Sequence, residues 1–179
     1  MDFYAALLVF PGNGAWLVYN NDIAQHQTQK DKEMSDQEII NQALAILESR
    51  LQIPEHTANA ATDTVNYLKL QYAGLEHESF RVMFLNQRHE LIQTEELSRG
   101  TIDSAAIYPR EVVKATLQFN AAAVILSHNH PSGNSDPSHA DRDITQHLVD
   151  ALNLIDVRVL DHIIIGGDNS YSFAEHGLV

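Results

Sequence analysis

With 179 residues, 44% of them hydrophobic and 20% charged, the chain has the size and balance of one soluble domain with a sizeable core and a small addition. Its 11 Lys and Arg against 24 Asp and Glu leave a net charge of −13, which argues against a nucleic-acid backbone as the main partner. No cysteine is present, so disulfides and thiolate ligands are excluded and a zinc site here must use histidine and carboxylate.

The apolar run from Phe3 to Phe10 has Asp2 where a secretory signal carries basic residues, and no apolar run approaches the length that spans a bilayer. A soluble, cytoplasmic protein without a membrane partner is expected. Residues 1–34, with a short hairpin around FPGNGAWLVY and then a polar run, read as a variable N-terminal extension outside the main fold. Residues 35–58 read as a helix and linker. Ser35 and Glu38 have capping-box spacing ahead of a stripe of Ile40, Leu44, Leu47 and Leu51, and QIPEHTANAA ends that helix. A second helix is predicted from Asp63 to Ala73, stopped by Gly74.

From Glu78 the period changes from helical to twofold. In ESFRVMFLN, Phe80, Val82 and Phe84 share one face; NQRHE supplies a turn, and LIQTEEL returns as a partner strand. YPREVVKATLQFN predicts a helix opened by Pro109, and AAAVILSHNH has the nearly continuous apolar pattern of a buried strand. A helix carrying Ile144, Leu148, Leu152 and Ile155 follows Ser138, and VRVLDHIII is a further strand. GGDNS reads as a turn, not a phosphate loop, because neither a Lys nor a matching helix follows. The expected architecture is α/β, a mixed sheet flanked by helices.

His128 and His130 lie two apart on a strand end, so both imidazoles point to one side. Pro131 and the turn formers after it bring the chain back within reach of that end. Asp141 allows two readings. Ser138 and Asp141 form an S-x-x-D cap, yet Asp141 also continues the inward stripe one turn before Ile144. A carboxylate aimed inward beside two histidines needs a counter-charge, which a divalent cation supplies. Two histidines, one carboxylate and one open position make a catalytic zinc site in type, and such a site needs a glutamate nearby to move the protons of the attacking water. Asp161 and His162 read either as supports for a ligand histidine or as a strand-end polar pair, and His139 and His147 read as solvated. A nucleobase deaminase would need H-x-E with P-C-x-x-C, which a chain without cysteine cannot provide.

SHNHPSG followed by PSHAD resembles the H-x-H-x7-S-x2-D signature of the JAMM (MPN-type) metalloproteases, in their bacterial RadC-like branch. ESFRVMFLN, RGTIDSAAIYPREVVKATL, DHIIIGG and YSFAEHGL resemble segments of the same branch, over roughly Asn59 to Val179, in its compact form without a helix-hairpin-helix segment. The resemblance implies an MPN/JAMM-type, cytidine-deaminase-like fold and one zinc ion held by His128, His130 and Asp141. It implies Ser138 as the residue that hydrogen-bonds the tetrahedral intermediate, and a glutamate base at the start of a core strand. Glu78 is the best match for that base, with Glu76, Glu90, Glu95 and Glu96 as rivals. The implied function is a metallopeptidase or isopeptidase acting on a protein or peptide. The competing expectations are a non-catalytic binding module of the same fold and an accessory protein of DNA repair.

Overall fold

The computed structural model describes residues 34–53, 60–100 and 107–179. The hairpin expected around FPGNGAWLVY, and with it nearly all of the expected extension, lies outside the described residues. The chain divides into two units, Met1–Ile39 and Ile40–Val179. In the first, Ser35 Oγ accepts from the Glu38 N–H while the Glu38 carboxylate accepts from the Ser35 N–H at 2.8 Å, the expected capping box. It starts α1 (Asp36–Leu51), most of which belongs to the second unit.

The remaining elements are α2 (Ala60–Tyr72), β1 (Ser79–Leu85), β2 (Leu91–Arg99), α3 (Pro109–Gln118), β3 (Ala123–Asn129), α4 (His139–Asn153), β4 (Arg158–Gly166) and β5 (Asn169–Ser172). The five strands form one sheet in the order β2-β1-β3-β4-β5. β1 runs antiparallel to β2 and β3, β3 runs parallel to β4 through the α4 crossover, and β5 adds an antiparallel edge. β5 was not foreseen: Gly167 and Asp168 make the predicted turn, but four polar and aromatic residues behind it carry too little alternation to announce a strand. α2 begins three residues before its expected start.

Twofold alternation sorts the side chains into two cores. Phe80, Val82 and Phe84 of β1 join Val124 and Leu126 of β3 and pack against Val112 of α3 and Leu148 and Leu152 of α4. On the other face Met83, Leu85, Ala123, Ile163 and Ile165 meet Leu47 of α1 and Tyr67, Leu68 and Tyr72 of α2. β3 is therefore covered on both sides, which is why its sequence is almost unbroken apolar. At about 1.5–3 kcal/mol for each large apolar side chain taken from water, these two layers and not surface ion pairs hold the sheet. Among the described residues no helix is long and apolar enough to cross a membrane. For the chemistry, the key consequence is that the C-terminal end of β3, the N-terminus of α4 and the start of β1 lie at one end of the sheet.

Candidate metal centre

β3 carries its register one residue past the strand, since the His130 N–H still donates to Ile165 O at 2.8 Å. Pro131 has no N–H to continue the ladder. The chain turns instead, with Gly133 N–H donating to His130 O at 3.0 Å and Gly133 at φ 83°, a conformation other residues rarely adopt. The end of β4 presses against this loop: a Cβ on Gly166 would sit 2.5 Å from Ser135 N and 2.6 Å from the Asn134 carbonyl carbon. Both contacts are backbone, so Gly166→Ala must displace the loop. The expected result is a loss of about 1–3 kcal/mol, read from chemical denaturation, together with weaker metal binding, because the loop orients His130.

That orientation comes from a hydrogen bond between His130 Nδ1 and the Asn134 carbonyl at 2.7 Å. A carbonyl only accepts, so Nδ1 carries the proton and Nε2 of a neutral His130 is a bare lone pair. It faces His128 Nε2 at 3.0 Å, and Asp141 brings Oδ1 to 3.2 Å from His128 Nε2 and Oδ2 to 3.6 Å from His130 Nε2. Zinc–ligand bonds of about 2.0–2.1 Å at tetrahedral angles would put neighbouring ligand atoms roughly 3.3 Å apart. The spacings from His128 Nε2 to His130 Nε2 and to Asp141 Oδ1 lie close to that value, and one ligand atom from each of the three residues lies within 4.8 Å of the others. Two imidazole nitrogens and a carboxylate thus meet at one point, and among the described residues this is the group that could hold a metal ion.

The electrostatics agree. Burial opposes ionisation of Asp141, but its contacts with the His128 and His130 rings, which favour the carboxylate most when those rings carry a proton, outweigh it and hold the carboxyl well below the usual carboxylate range. His130 is raised above its ordinary value, chiefly by its contact with Asp141 and in small part by the charge of Glu78. His128 is buried and stacks on Phe80, its cross-strand partner, with ring planes 20° apart.

Ser138 is the N-cap of α4, and both readings of Asp141 hold at once. Ser138 N–H and Oγ–H donate to Asp141 Oδ2 at 2.7 and 2.6 Å, and the Asp141 N–H donates back to Ser138 Oγ at 3.1 Å. The cap thus engages Oδ2 and leaves Oδ1 aimed at His128. Glu78 lies just before β1, half-buried, with its backbone held by the Gly100 N–H donating to Glu78 O at 2.8 Å. Asn129, between the two histidines, points the other way and clasps both neighbours of Glu78: its Oδ1 accepts from the Ser79 N–H at 2.8 Å and its Nδ2–H donates to His77 O at 3.0 Å. The rival glutamates are placed or engaged elsewhere. Glu76 is exposed, Glu90 bonds Asn86 in the β1–β2 turn, Glu95 sits on β2 opposite Val82, and Glu96 pairs with Arg81 and Arg99.

Of the pair weighed as supports, His162 reaches the centre and Asp161 does not. His162 is fully buried, with Nε2 2.8 Å from His128 Nδ1 and Nδ1 2.6 Å from Thr145 Oγ1. Asp161 instead accepts from Ser172 Oγ–H and the Ala174 N–H and fastens the C-terminal turn. His139 and His147 are exposed, as expected. Sequence reasoning missed Thr145, whose only signal was its place one turn after Asp141 on the inward side of α4. A groove of about 400 Å³ borders His130 on the α2 side, between Tyr72, Gly74 and Asn129.

Residues 58–178 match the family described as the RadC-like JAB domain. A UPF0758 protein of Vibrio cholerae is 48% identical over 153 residues, which is 86% of this chain and 96% of that relative. UPF0758 protein YfjY of Escherichia coli is 52% identical over 149 residues, 82% of this chain and 91% of that protein. A longer UPF0758 protein of Janthinobacterium is 56% identical over 119 residues, 66% of this chain and 53% of that relative.

Proposed function

The chain belongs to the RadC-like JAB domain family, and from that membership we propose that it is a zinc-dependent hydrolase of amide bonds, acting on a peptide or an isopeptide-linked protein. One observation carries the reading: His128, His130 and Asp141 each bring one ligand atom to within 4.8 Å of the others, with His128 Nε2 3.0 Å from His130 Nε2 and 3.2 Å from Asp141 Oδ1. A zinc ion held there would supply Lewis-acid polarisation of the substrate carbonyl and would acidify water at its open position.

The remaining work falls to the chain's own residues. Glu78 takes a proton from the attacking water as the new C–O bond forms, and returns it to the leaving amine as the C–N bond breaks. Its charge already acts on His130, which supports this assignment. Asn129 holds the backbone on either side of Glu78, so the base and the ligand histidines share one rigid support. Ser138 has a double task. Its backbone N–H keeps Asp141 Oδ2 in place, freeing the hydroxyl to turn from Oδ2 toward the negative charge that develops on the substrate oxygen.

Ser138→Ala separates these tasks. Loss of the helix cap is expected to cost about 0.5–2 kcal/mol in a thermal or denaturant melt. Loss of the oxyanion contact should lower kcat by about 10²–10³ while the metal stays bound. A variant that shows the melting change with wild-type turnover would leave Ser138 as a cap alone. The reading as a whole is tested by measuring the metal content of gently purified wild type beside Asp141→Asn, followed by a screen of peptide and isopeptide amides.

A further inference from the structure

We propose that His162 is a positioning residue which, set by Thr145, fixes the tautomer of His128 and so keeps the ligand nitrogen bare for the metal. The inference rests on the metal reading above and follows from counting protons along one chain of hydrogen bonds. The Thr145 hydroxyl owns a single proton and donates it to the backbone carbonyl of Asp141, one turn back on α4. Toward His162, therefore, Thr145 Oγ1 acts as acceptor, and the proton in that 2.6 Å contact sits on His162 Nδ1.

His162 is 0% exposed, and its two nitrogens are taken by a hydroxyl and an imidazole, neither of which compensates a charge. Neutral, with its proton on Nδ1, it presents Nε2 as an acceptor. The 2.8 Å contact with His128 then runs one way, from His128 Nδ1–H to His162 Nε2. His128 in turn keeps Nε2 as the lone pair that faces His130 and Asp141. Reversing any link would put a proton on His128 Nε2, where the ion must bind.

The chain begins at the carbonyl of one ligand residue, Asp141, and ends on the ring of another, His128. It crosses α4, β4 and β3 on the way. Thr145 falls four residues after Asp141, so the helix that delivers the carboxylate also delivers the group that orients the opposite ligand. Phe173 stacks on the His162 ring at 4.8 Å between centroids and 24° between planes, and Phe80 meets it edge-on at 5.8 Å. Packing alone thus accounts for an aromatic ring at this position; the two polar contacts account for histidine.

The test uses the whole chain, Zn²⁺ alone as probe and a chromogenic chelator as competitor. His162→Phe keeps an aromatic ring between Phe80 and Phe173 but removes the acceptor. Zinc affinity is expected to fall about 10–100-fold with the chain still folded. His162→Gln, whose amide oxygen reaches the place of the lost nitrogen, should restore most of that affinity. Thr145→Val releases the His162 tautomer and should weaken zinc binding with the imidazole still present. Long-range proton–nitrogen NMR of the neutral, metal-free chain should find the protons of His128 and His162 on Nδ1, and find that order lost in Thr145→Val. Wild-type zinc affinity in a folded His162→Phe, or a proton on Nε2 of His162 in the wild type, would overturn the proposal. If the wild type itself takes up no zinc, the hydrolase reading fails, and the NMR measurement alone then decides the tautomer chain.

Discussion

Wild type is expected to carry one zinc ion per chain, and Asp141→Asn to bind zinc more than 100-fold more weakly, beyond the 10–100-fold that follows when only a supporting residue is lost. Asparagine keeps the shape and an oxygen that accepts from the Ser138 N–H, so α4 still starts where it does. What disappears is the negative charge that balances a divalent ion between two neutral imidazoles. Mass spectrometry under native conditions reads the loss directly. Thermal melts read it by linkage: zinc at about 100 times its Kd should stabilise the wild type by about 2.7 kcal/mol and leave the variant almost unmoved.

Acidity should tip the same balance. In the metal-free chain His130 is raised above its ordinary 6.5 by Asp141, so its stabilising contribution is complete below 6.5 and fades as pH climbs through the raised value. Asp141 is lowered from its ordinary 3.8, so its contribution is present above 3.8 and fades only as pH drops through the depressed value. Between these limits a proton on His130 does the work of a cation. Zinc needs that nitrogen bare, so zinc affinity should rise with pH through the raised His130 value and then level off. An affinity that fell over that range would contradict the assignment of His130 as a ligand.

Glu78→Gln is expected to separate binding from turnover. The amide cannot take the proton of the attacking water, and kcat should drop by about 10²–10⁴ with zinc content unchanged. Gly100 and Asn129 hold the flanking backbone through main-chain groups of residues 77–79, so the substitution leaves those hydrogen bonds intact. Full activity in this variant would move the base to another residue. Full activity in Asp141→Asn would remove the hydrolase reading altogether. Asn129→Leu offers a control within the same strand, since it releases residues 77–79 without touching a ligand atom.

The grouping of His128, His130 and Asp141, the candidate ligands, was legible in the sequence because each member is placed by a local rule. Alternation puts His128 and His130 on one side of β3, Pro131 ends the strand, and the Ser138 cap fixes the phase that turns Asp141 inward. The two-layer burial of β3, the hairpin of β1 and β2 and the start of α3 at Pro109 were legible for the same reason. Hydrophobic period and turn chemistry act over a few residues, and a single sequence displays them. The edge strand β5 escaped because it forms against β4 on pairing that its own composition does not announce.

Which groups stand behind the ligands was decided by strand pairing and helix packing. The β3–β4 register and the α4 crossover set His162 between His128 and Thr145, while Asp161, its neighbour in sequence, turns to the C-terminal segment. The β1–β3 register brings Asn129 to the backbone around Glu78, across 50 residues of chain. Those contacts are chosen by how whole elements lie against one another, and hydrogen-bond partners so far apart in the chain leave no periodic trace in the residues that make them.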